Sequence, residues 1–161
     1  MTNMTKECKQ QFTLRITQAN STQLVVILYE MLLCYIKEAK EAFEKEDKEE
    51  ALEALRKARG CVNELINSLH MEYEPAPCLM KLYLFCIRRI AASEYSKEQS
   101  PLEEVEKVIN PLREAYEKLA EQNEQAPVMN NSQSVYAGLT YGRNELTENL
   151  SDQGNNRGMR V

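Results

Sequence analysis

The chain has 161 residues, of which 43% are hydrophobic and 28% charged, and its net charge is −5. That length and mix suit one domain with a single core plus extensions, and exclude a wholly disordered chain. The negative balance, with bases interleaved among acids from Lys37 to Arg59, excludes a phosphate-binding tract, so no nucleic-acid partner is expected.

The stretch from Met1 to Phe12 is polar and offers no apolar core of a signal peptide. No apolar run reaches the roughly 20 residues that span a bilayer, so a cytoplasmic protein without membrane insertion is expected. Residues 4–17 carry Phe12, Leu14 and Ile16, which predict either a short extra helix or an extended arm docked on the rest. The expected organisation is an N-terminal arm over 1–19, a bundle over 20–126 and a mobile tail over 127–161.

The first long helix is predicted from Asn20 to about Glu46. Asn20 caps it, and Gln23 three residues on completes a capping box. Most helices carry one apolar stripe, but this one carries two. Val25, Tyr29, Leu32, Ile36, Ala39 and Phe43 form one seam, and Leu24, Leu28, Met31 and Tyr35 form an adjacent one. One seam can face the core. The other needs a further cover, either another helix or a partner.

The second helix starts at Asp47, with Glu50 three residues later, and buries Ala51, Leu55, Ala58, Val62, Leu65 and Leu69. Pro75 and Pro77 end any continuation. The third helix, about Ala76 to Tyr95, lines up Leu79, Tyr83, Cys86 and Ile90, with Leu82 and Phe85 beside them. Arg88 and Arg89 interrupt its apolar centre. Two readings stand side by side: they reach the rim or pair with acids, or they edge a partner-binding groove. The fourth helix opens on Ser100 as N-cap and Pro101 at the first helical position, and buries Leu102, Val105, Ile109, Leu112, Tyr116 and Leu119. Pro111 inside it predicts a kink over Lys107 to Asn110. Matched lengths and short loops make this an all-α, antiparallel up-down four-helix bundle.

Beyond Ala126 the composition changes, with Gly138, Gly142, Gly154 and Gly158 among many asparagines. The cluster Val135 to Gly142 is read there as incidental rather than as a docking motif.

Catalytic chemistry is hard to assemble. His70 is the sole histidine, and Asn67 stands three residues before it, so the Glu-x-x-His pairs of a di-iron bundle are missing. His70 is assigned to the C-terminal end of the second helix, where a cation suits the dipole. The cysteines, Cys8, Cys34, Cys61, Cys78 and Cys86, are odd in number and lack a C-x-x-C spacing, so they read as buried reduced thiols. The sequence contains no glycine-rich phosphate loop. No catalytic residue, metal ligand or cofactor is assigned.

The run Leu24-Val25-Val26-Ile27-Leu28-Tyr29, with Ala39-Lys40-Glu41-Ala42, Ala51 to Leu55, Lys57-Ala58, Leu82-Tyr83, Ile87-Arg88-Arg89 and Leu112-Arg113-Glu114-Ala115, resembles the flagellin export chaperone family, FliS. The likeness covers roughly residues 16–124. The cap Gln18 to Gln23 departs from the family in lacking its proline and acids, and Tyr116 stands where a tryptophan is common. The resemblance implies a cytoplasmic helical bundle that uses neither nucleotide nor metal. It implies a client, the C-terminal segment of flagellin, laid in apolar grooves and passed to the export-gate protein of the flagellar secretion apparatus. The expected partner-binding residues are Leu24, Leu28, Tyr29, Met31, Leu32, Tyr35, Leu82, Phe85, Arg88 and Arg89, around a groove between the first and third long helices. The arm would cover that groove until the client displaces it. The expected state is a monomer or weak homodimer. A self-associating adaptor bundle and a small helical enzyme are the competing readings.

Overall fold

The computed structural model describes residues 6–125 and is all-helical over them. The helices are α1 (Lys6–Gln18), α2 (Ser21–Glu44), α3 (Lys48–Asn67), α4 (Ala76–Ser96) and α5 (Ser100–Gln125). The expected tail over 127–161 and its Val135 to Gly142 cluster lie outside the described residues.

Local chemistry fixes the helix ends. The Gln23 N–H donates to Asn20 Oδ1 at 2.8 Å and the Asn20 N–H donates to Gln23 Oε1 at 3.0 Å, closing the expected capping box of α2. Asp47 caps α3 by accepting from the Glu50 N–H at 3.1 Å. Pro77 falls in the first turn of α4, where a missing N–H costs no helical bond. Lys97 ends α4 in the left-handed conformation, with its N–H on the Ser93 carbonyl at 2.9 Å. Ser100 is already helical rather than a cap. α5 continues through Pro111 as one helix.

α2 packs against α3 and α5, and α4 packs against the same two. The four long helices therefore form a square in which α2 and α4 stand on one diagonal. The short connections dictate this, because each helix must return beside the one before it. The diagonal leaves no continuous groove between the first and third long helices and confines the space between them to one end of the square. Those two meet only through the core, where the Tyr29 and Tyr83 hydroxyls share a hydrogen bond at 2.6 Å. Leu32, Ile36, Leu55, Val62, Leu65, Ile90, Leu102, Val105 and Ile109 fill the space around that pair with no exposed surface.

The second seam of α2 faces α3: the Lys57 ammonium sits 5.9 Å from the centre of the Tyr35 ring, and Leu28, Met31 and Tyr35 pack half-buried against the core. α1 is a helix and packs on α2 alone among the described helices. It lies on the Glu30 side, held by an Arg15–Glu30 ion pair at 2.6 Å and by buried Phe12. Glu30 is about 200° round the helix from Leu28 at 3.6 residues per turn. The arm thus covers a different face from the one expected. Leu14 remains exposed because it lies about 200° round α1 from Phe12, and Ile16, one turn on from Phe12 near the end of the helix, is 38% exposed.

Other expectations also shift. Cys61 and Cys86 are buried, but Cys78 is exposed, Cys8 and Cys34 are intermediate, and all are free thiols. Leu119 is exposed near the end of α5. His70 lies two residues beyond the α3 C-cap Ser68, in the segment that follows the helix.

Two outcomes follow from the core. Leu32→Ala removes a fully enclosed side chain and is expected to lower unfolding free energy by about 2–5 kcal/mol in urea titration. Burial lifts the Tyr29 phenol far above its usual 10.0 and Tyr83 to about 12, and lifts the Cys61 and Cys86 thiols from 9.0 to about 12. These groups are held neutral by folding, so their contribution is whole below the unfolded values and is lost as pH rises through the folded ones. The urea midpoint should begin to fall above pH 9 and fall more steeply above pH 10, with a smaller drop in the Tyr29→Phe/Tyr83→Phe double variant.

Candidate functional site

Alternating helix directions bring the start of α2, the end of α3, the start of α4 and the end of α5 to one end of the square. The segment 68–75 spans that end instead of closing it tightly. Beneath it lies a cavity of about 520 Å³. Leu24, Val25 and Leu28 of α2 form one wall, Leu79 and Tyr83 of α4 the opposite one, and Tyr116 and Leu119 of α5 a third. Leu69, His70 and Tyr73 come from the connecting segment.

The floor is rigid. The Tyr116 ring meets Tyr29 edge-on, with centroids 5.8 Å apart and planes at 77°, and Tyr29 holds Tyr83 through the shared hydroxyl bond. Asn123 Nδ2 donates to Thr22 Oγ1 at 3.1 Å, tying α5 to α2 at this same end. The mouth is apolar and open to water: Tyr73 is 54% exposed and Leu119 42%. Such a wall offers contact area and shape to an apolar side chain. Burial pushes the Tyr83 phenol up to about 12, so it stays a neutral hydrogen-bonding group well into alkaline solution.

The expected binding residues divide among several places. Leu24 and Leu28 line the cavity. Met31 and Tyr35 continue the same face of α2 beneath α3, half-buried. Tyr29 and Leu32 are fully enclosed, so they back the wall instead of lining a surface. Leu82 and Phe85 share a face of α4 with Arg89, which pairs with Glu104 of α5 at 3.3 Å. Arg88 points outward from α4, away from the cavity, so of the two readings offered for these arginines Arg89 follows the ion pair and Arg88 edges no cavity. The expected residues do not converge on one groove.

Leu69, Tyr73, Tyr116 and Leu119 were not expected as site residues. The last three escaped for different reasons: Tyr116 and Leu119 continue a core seam, while Tyr73 sits in a turn. The apolar pair Met71 and Tyr73 inside an otherwise polar turn was the available signal.

A second cavity, about 420 Å³, lies where α1, α2 and α5 meet and is lined by Arg15, Glu30, Glu117 and Glu121 among others. Among the described residues, no His, Cys, Asp and Glu cluster could hold a metal ion, and no helix is long and apolar enough to cross a membrane.

Compared with known proteins, residues 4–123 match the family model of flagellar protein FliS. No curated protein matches the chain. The family match begins ahead of α1 and runs almost to the end of α5, so the N-terminal helix is part of the family's unit. With most of its length inside that match, and an all-helical fold to accompany it, the chain belongs to the flagellar protein FliS family.

Proposed function

We propose that this flagellar chaperone binds the C-terminal segment of flagellin in the cytoplasm, keeps it from assembling early, and passes it to the export-gate protein of the secretion apparatus. The observation that carries the reading is the apolar cavity with its exposed rim. An amphipathic segment gains most where it can insert apolar side chains into a preformed hollow and lay its remaining face along the bundle. Leu24 and Leu28 receive the inserted side chains. Met31 and Tyr35 extend the contact along α2, while Leu82, Phe85 and Arg89 offer a second stretch along the border of α4 and α5. Tyr29 and Leu32 hold the wall in place from behind. No cofactor enters this work, and the family is not one of enzymes.

The rim residues give the cleanest test, because Tyr73 and Leu119 are exposed and their replacement leaves the core intact. Tyr73→Asp/Leu119→Asp should weaken binding of the flagellin C-terminal segment by about tenfold or more, near 1.4 kcal/mol, in a titration with helicity checked by circular dichroism. Leu28→Asp should weaken it further at some cost in stability. Unchanged affinity in the rim variant would remove the cavity from the binding surface. Light scattering on the protein without client reads the competing adaptor function. A stable dimer that the rim substitutions dissociate would assign this end to self-association.

A further inference from the structure

α4 has a second surface that the cavity does not use. Lys81, Leu84, Arg88, Ala91 and Tyr95 recur at steps of three and four, so they form one stripe along the helix, and all are exposed. The stripe runs opposite the core line of Leu79, Tyr83, Cys86 and Ile90. Leu84 is 43% exposed and Tyr95 is 91% exposed, so both offer apolar contact area on this side of α4.

The charge along the stripe itself is positive. Among the described residues, six bases pair with acids, Arg89 of α4 included, and others such as Lys37 and Lys107 lie outside those pairs among neighbouring acids of the sequence. α4 holds Lys81, Arg88 and Arg89 against Glu94 alone, on a chain of net charge −5. Glu94 is taken by Arg59 of α3, and Arg89 has Glu104. Lys81 and Arg88 take part in none of the ion pairs among the described residues.

We propose that this stripe docks an acidic amphipathic helix of a partner protein, distinct from the client in the cavity. Lys81 and Arg88 stand about 10 Å apart along the axis, at ~1.5 Å per residue, so carboxylates two turns apart on the partner helix face them both. Arg88 can grip one carboxylate with two parallel N–H bonds. Leu84 between them takes an apolar side chain, and the Tyr95 ring supplies a flat aromatic contact beyond. Arginine and tyrosine are the residue types that concentrate binding energy in such interfaces. A lipid surface is a poorer match, since anionic headgroups attract clusters of roughly 4–8 bases. The stripe offers two on an acidic protein. It is turned away from α2 and from the cavity, so both occupants fit at once.

The test uses the full chain and a fluorescein-labelled, helix-stabilised peptide with glutamates two turns apart and a leucine midway, set against a twin with lysines for glutamates. The acidic peptide should bind at least about tenfold tighter than its twin by anisotropy, with the preference shrinking at high salt. Lys81→Glu/Arg88→Glu, both surface changes, should reverse the preference, and Leu84→Ala/Tyr95→Ala should weaken binding several-fold. Tyr73→Asp/Leu119→Asp should leave it unchanged, which separates this surface from the proposed client site. Equal affinity for the two peptides, or indifference to the Lys81/Arg88 reversal, would overturn the proposal. So would tighter, Lys81- and Arg88-dependent binding to vesicles of phosphatidylglycerol and phosphatidylcholine than to the acidic peptide.

Discussion

Helix α2 has more apolar surface than one neighbour can cover, and the placement of the other helices follows from covering it. Its Tyr29, Leu32, Ile36 and Ala39 line the shared core. Its Met31 and Tyr35 pass under α3, and its Glu30 side receives α1. A helix with three covered sides must sit at a corner with neighbours all round, which forces α4 to the opposite corner. The cavity arises where this cover gives out, at the end where Leu24 and Leu28 outrun α3 and the segment 68–75 takes over.

The helices are held unequally. α2 to α5 share a continuous core, whereas α1 is fastened by one buried ring and one ion pair. An ion pair between partly exposed side chains stabilises by about 0–1 kcal/mol. Burying one aromatic ring adds about 1.5–3 kcal/mol. The N-terminal helix is thus an attachment to the bundle, with its Leu14 and Ile16 facing water.

Local features of the chain were legible in its residues because their causes are local. Asn20 with Gln23 and Asp47 with Glu50 place two helix starts, and the seam Leu79, Tyr83, Cys86, Ile90 is buried as its spacing required. What periodicity could not reveal was the neighbour on each side. A stripe gives a direction around one axis and says nothing about which helix waits there. The space between α2 and α4 extends no further than the cavity for that reason, and Leu82, Phe85 and Arg89 lie on the α5 side of α4. Leu119 continues the core seam unbroken, yet it stands at the rim of the cavity, where it is 42% exposed. The cavity joins residues from four elements far apart along the chain, so no single window of sequence contains it.

The shared hydroxyl bond between Tyr29 and Tyr83 has a further consequence. Aliphatic side chains tolerate sliding, since leucine against leucine is much the same one helical turn along. Two phenols do not. A slip of α4 by one turn relative to α2 would strand both hydroxyls in hydrocarbon, at about 1–3 kcal/mol for each lost partner. The pair therefore acts as a key that admits one register and rejects its near neighbours, as single buried polar residues do in coiled coils.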